Sequence, residues 1–166
     1  RKNVSETFVS IYGEDLPIKE MYEEKDRELF TAIDEGKVPL KEGAKEILMF
    51  LRDKGYKTAL ATSAKRERAI KQLKMGNIEE LFDVVVTGDE VVKSKPDPGI
   101  FLTAAKKLSE EPENCIVVED SPAGIKAAYN AKMIGFHVED LKEADENILK
   151  YCNNNFNNLL EIKEYI

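Results

Sequence analysis

Five side chains at three separate points of the chain could act on one ligand. They are Thr62 and Ser63 in "LATSAKRE", Lys95 in "KSKPDP", and Glu119 with Asp120 in "VVEDSPAG". A hydroxyl can donate to an anionic oxygen, and a lysine supplies a full positive charge. Two adjacent carboxylates would repel the same anion unless a cation lies between, and the hard divalent ion Mg2+ prefers oxygen ligands. A phosphate accompanied by Mg2+ is the simplest ligand that satisfies all of these groups. Each also has a plainer use. Thr62 could cap the helix after it, Lys95 could be a solvated surface lysine, the acid pair could favour a helix dipole, and Asp89 could cap a turn.

The elements around these residues favour the joint reading. "AKEILMFLRDKG" reads as a helix closed by Gly55, "YKTALAT" as a strand, and "SAKRERAIKQLKMG" as a helix stopped by Gly76. "FDVVVTG" is a strand, "PDPGIFLTAAKKLS" a helix started by proline, "NCIVVED" a strand, "SPAGIKAAYNAK" a helix and "MIGFHV" a final strand. Repeated βα units of this length predict an α/β fold, a Rossmann-like parallel sheet with helices on both faces. Ligands of such sheets sit at the carboxyl ends of the strands. Thr62, Lys95 and the Glu119–Asp120 pair all follow strand ends, and a helix opening at residues 63 to 66 would add free N–H groups and a positive dipole end. His137, inside an apolar strand, reads as structural. Residues 1 to 35 read as two amphipathic helices joined at "GEDLP", and the tail after "CNNNF" ends in a short helix.

Composition bounds the rest. The 166 residues carry 25 Lys and Arg against 32 Asp and Glu, a net charge of −7, which argues against a nucleic-acid or anionic-membrane footprint. No apolar run approaches the ~20 residues that cross a bilayer, and "RKNVSETFVS" lacks the apolar segment of a signal peptide. Cys115 and Cys152 form no CxxC pair, and Cys115, opening an apolar run, reads as a buried thiol. A cytoplasmic location is the expectation.

"LATSAKRE", "KSKPDPGIF" and "VVEDSPAGIKAA" resemble, in order and spacing, the second, third and fourth motifs of the haloacid dehalogenase-like (HAD) superfamily, in its phosphatase and β-phosphoglucomutase branch. The likeness covers roughly residues 1 to 140. It implies that Thr62 binds the transferring phosphoryl group, that Lys95 neutralises it, and that Glu119 and Asp120 hold Mg2+, Asp120 directly. It further implies that Ser63, Lys65 and Arg66 line the phosphate pocket. Residues 1–38 would be part of a helical cap, with Arg1 and Lys25 near the substrate, and residues 39–166 the α/β core without its N-terminal central strand. The expected partner is a small phosphorylated metabolite. A nicotinamide-binding Rossmann domain is a weaker rival, because no GxGxxG follows any strand.

One departure is large. The family's first motif, DxD on a central strand, supplies the aspartate nucleophile, and no DxD occurs in these residues. A segment ahead of Arg1 is expected to carry it. The other readings are a binding module without catalysis and a second chain that supplies the strand.

Overall fold

The computed structural model describes residues 2–140 and 144–166. Two compact units emerge, Arg1–Val38 and Pro39–Ile166. The first consists of helices α1 (Lys2–Tyr12) and α2 (Ile18–Asp34), separated by the turn at Gly13, whose φ of 93° suits a residue without Cβ.

The second unit alternates helix and strand in the predicted order. Helix α3 (Ala44–Asp53) leads into β1 (Ala59–Ala61), α4 (Arg66–Met75), β2 (Val84–Val86) and α5 (Gly99–Leu108). Then come β3 (Ile116–Glu119), α6 (Pro122–Asn130), β4 (Ile134–Val138), α7 (Glu146–Leu149), β5 (Asn154–Phe156) and α8 (Ile162–Tyr165). Every strand pairing is parallel, as βα connections require. Alternate strand residues face opposite layers. Val86 and Val117 pack with Ile100, Phe101 and Ala127 of α5 and α6, whereas Phe136, Val138 and Phe156 pack with Ile47 of α3 and Ile162 of α8. Helices therefore cover both faces. Among the described residues no helix is long and apolar enough to cross a membrane.

The strands fall into two parallel sheets, β1–β2 and β3–β4–β5. No described strand joins β1 to β3, and an apolar cleft of about 610 Å³ lies where their unpaired edges meet it, lined by Ala59, Leu60 and Ala61 on one side and Ile116, Val117 and Val118 on the other. Two expectations need correction. "MIGFHV" is not the final strand, because the asparagine cluster supplies β5. Asparagine is a poor strand former, but burial of Phe156 against Phe136, with ring centroids 5.2 Å apart, holds the segment on β4. Finally, α4 begins at Arg66, with Lys65 extended at its N-cap, so residues 63 and 64 form a turn instead of a helix start.

Candidate active site

The carboxyl ends of β1 and β3 meet at Lys95. Its Nζ donates to the Ala61 carbonyl at 3.3 Å and forms an ion pair with Glu119 Oε1, and it lies 4.7 Å from the centre of the Phe101 ring. Ala61 closes β1 immediately before Thr62, and Glu119 closes β3 immediately before Asp120. One cation thus ties together the two strand ends on which the predicted hydroxyl and carboxylates sit.

Thr62 is fixed by its main chain and its side chain. Its N–H donates to the Val86 carbonyl at 3.0 Å, continuing the β1–β2 ladder, and its Oγ1 accepts from the Ala64 N–H at 3.2 Å. That contact uses a lone pair and leaves the hydroxyl hydrogen to donate to an oxyanion. The turn is clamped from below: the Gly88 N–H donates to the Ala64 carbonyl at 2.8 Å, and a Cβ on Gly88 would fall on the Ser63 carbonyl oxygen. Ser63, Lys65 and Arg66 are exposed on this turn, with Arg66 3.5 Å from Glu90.

Buried Thr87 organises the loop after β2. Its hydroxyl meets Asp89 at 2.6 Å and Glu90 at 3.0 Å, and Glu90 also accepts from the Thr87 N–H, closing a capping box. Lys107 donates to Glu90 Oε2 at 2.5 Å and is the chief reason the Glu90 carboxyl sits below its ordinary range. The Thr87 hydroxyl does the same for Asp89.

The two acids after β3 take different surroundings. Glu119 is engaged at both oxygens, Oε1 by Lys95 and Oε2 by the Ser121 hydroxyl at 2.9 Å. Ser121 in turn caps α6, accepting from the Gly124 N–H at 3.0 Å. The Asp120 carboxylate is exposed and has no hydrogen-bond or ion-pair partner among the described residues. Mg2+ keeps several waters and needs only one or two carboxylates beside substrate oxygens. Asp120 fits that need, and no cluster of three or more His, Cys, Asp or Glu suited to a metal occurs among the described residues.

Lys25, in the N-terminal unit, pairs with Asp26 at 2.8 Å, and Arg1 lies outside the described residues. Cys115 is half-buried, not buried, because it lines the open cleft. Sequence reasoning missed the Ala61 carbonyl, Gly88 and Gly124. The two glycines stand where a strand-end loop or a helix passes close to the site, and that spacing was the available signal.

Residues 3–138 match the haloacid dehalogenase-like hydrolase family. The chain belongs to that family. Over 113 residues, 68% of its length, this HAD-like chain is 39% identical to a phosphorylated carbohydrates phosphatase of Thermotoga maritima, and it spans 50% of that protein. It also resembles a crystal structure of β-phosphoglucomutase from Clostridium difficile, with a TM-score of 0.73 and 29% identity, covering 87% of the chain and 65% of the mutase. A HAD hydrolase from Entamoeba histolytica gives a TM-score of 0.77 and 28% identity over 89% of the chain and 68% of its own. The chain spans about half the length of the curated phosphatase it matches.

Proposed function

We propose that this HAD-like chain forms the phosphate-handling part of an enzyme that hydrolyses a small phosphate monoester of the sugar-phosphate class. The observation that carries the reading is Lys95, whose ammonium joins the ends of β1 and β3 beside Thr62 and Asp120. A phosphoryl group seated there would receive the Thr62 hydroxyl hydrogen and the Lys95 charge. Positioning and charge stabilisation account for most of the acceleration of phosphoryl transfer. Asp120 would hold Mg2+, which when bound offsets negative charge on the phosphoryl oxygens. Glu119 keeps Lys95 in place, since both of its oxygens are already engaged.

The nucleophile is an aspartate that the described residues do not supply. We place it on a strand inserted between β1 and β3, in the cleft that both unpaired edges line. Such a strand would pair on both sides and end level with Lys95. Its carboxylate oxygen would attack phosphorus as the ester oxygen departs, forming an aspartyl-phosphate. Water would then attack phosphorus, release inorganic phosphate and restore the carboxylate.

The likeness to β-phosphoglucomutase favours a second reading, in which a sugar hydroxyl instead of water takes the phosphoryl group. Product analysis on the native-length protein separates them. Free phosphate from several sugar phosphates supports hydrolysis, and conversion of β-glucose 1-phosphate to glucose 6-phosphate supports the mutase. Phosphate binding without either product would leave a non-catalytic binding module.

A further inference from the structure

A polar row crosses the second sheet just beneath Asp120, in an otherwise apolar layer. Glu119, His137 and Asn155 are register partners on β3, β4 and β5. His137 is 0% exposed, flanked in sequence by Phe136 and Val138 of the core. Both of its ring nitrogens are used. Nε2 lies 3.2 Å from the Asp120 main-chain carbonyl oxygen, and Nδ1 lies 2.6 Å from Asn155 Oδ1. Both oxygens only accept, so each contact needs a hydrogen on its ring nitrogen, and Nε2 donates to Asp120. Asn155 is tied outward in turn, its Nδ2 donating to Glu139 Oε1 at 3.2 Å.

We propose that His137 and Asn155 are positioning residues that fix the Asp120 carboxylate for a divalent cation. This rests on the reading of Asp120 as the metal ligand. The peptide between Asp120 and Ser121 is held at both ends: His137 takes its carbonyl, and its N–H points to Glu119 Oε2 at 3.4 Å. With that peptide pinned, only the two side-chain torsions of Asp120 remain to be ordered when a cation binds. The exposed carboxylate is thereby presented by a rigid main chain. Burial of the ring requires both nitrogens to be partnered, and here one partner is the main chain of Asp120 and the other an Asn155 side chain tied outward to Glu139. The row accounts for both.

His137 is the one histidine of these 166 residues, and the signals lost in His137→Gln identify its ring. In the native-length protein labelled with 13C and 15N, we expect a slowly exchanging Nε2–H with a through-hydrogen-bond coupling to the Asp120 carbonyl carbon. Mn2+ alone, titrated by calorimetry, serves as the cation probe. Asn155→Ala and His137→Leu should each weaken Mn2+ binding about tenfold, the usual cost of losing a partner that orients a ligand, and His137→Gln, which keeps an N–H donor, should recover part of it. Asn155 is exposed, so its variant is expected to fold even if His137→Leu does not. An Nε2 without hydrogen, or unchanged Mn2+ affinity in a folded Asn155→Ala protein, overturns the proposal alone. A wild-type protein with the ring hydrogen bond but no Mn2+ binding overturns the reading of Asp120, and the proposal with it.

Discussion

The ammonium of Lys95 and the carboxylate of Glu119 form an ion pair between side chains only 12% and 11% exposed. Removing one partner of such a pair leaves a charge with neither water nor a counterion, which costs about 3–5 kcal/mol. Lys95→Met should therefore lower stability in urea by several kcal/mol, whereas Lys95→Met combined with Glu119→Leu should cost clearly less. A double loss equal to the sum of the Lys95→Met and Glu119→Leu losses would show that the pair is not coupled.

Two glycines near the site should respond differently to a methyl group. In Gly88→Ala the new Cβ meets the Ser63 carbonyl, which is main chain and cannot rotate aside. We expect about 1–3 kcal/mol of destabilisation, with weaker binding of inorganic phosphate because the Thr62 turn moves. In Gly124→Ala the Cβ meets the end of the Glu119 side chain, which can yield. Helix α6 gains up to about 1 kcal/mol of propensity from alanine, which offsets part of the loss as Glu119 is pushed from Ser121 and Lys95. The net destabilisation should therefore stay below that of Lys95→Met, while activity falls. Thermal melts beside phosphate-binding isotherms separate the two cases.

Acid should expose the capping network after β2. Glu90 has a folded pKa below its ordinary 4.5, chiefly through Lys107 and then the Thr87 N–H. A depressed carboxyl stabilises the fold above its unfolded pKa, and this contribution disappears as pH falls through the lowered folded value. Urea midpoints measured from pH 6 to about pH 3 should fall less steeply in Glu90→Gln than in the wild type. Parallel curves would contradict the assignment.

Cys115 should react slowly. Burial, followed by the negative charges of Glu110 and Glu113, raises its thiol pKa above 9.0, and the thiolate is the reactive form. Alkylation by iodoacetamide at neutral pH should lag behind a free cysteine and speed up as pH rises. Because Cys115 lines the cleft, a strand seated between β1 and β3 should slow it further.

Much of this was legible from residue order. Gly55 and Gly76 closed their helices, proline opened α5, and the strand ends placed Thr62, Lys95 and Asp120 on one rim. The break between β1 and β3 was legible only through the absent DxD motif, whose central strand these residues lack, and not from either strand's own residues. Local pattern hid β5, where tertiary burial of Phe156 overrides the poor strand propensity of asparagine. Nor could it distinguish the two acids. Glu119 and Asp120 are adjacent, yet one side chain reaches Lys95 and the other faces solvent, a difference set by long-range packing.

The most direct test is phosphate release from sugar phosphates by the native-length protein, with and without Mg2+, in the wild type and in Asp120→Ala. Turnover that requires Mg2+, is lost with a chelator, and is abolished in a folded Asp120→Ala protein is the predicted result. Undiminished Mg2+-dependent turnover in Asp120→Ala would contradict the site as assigned.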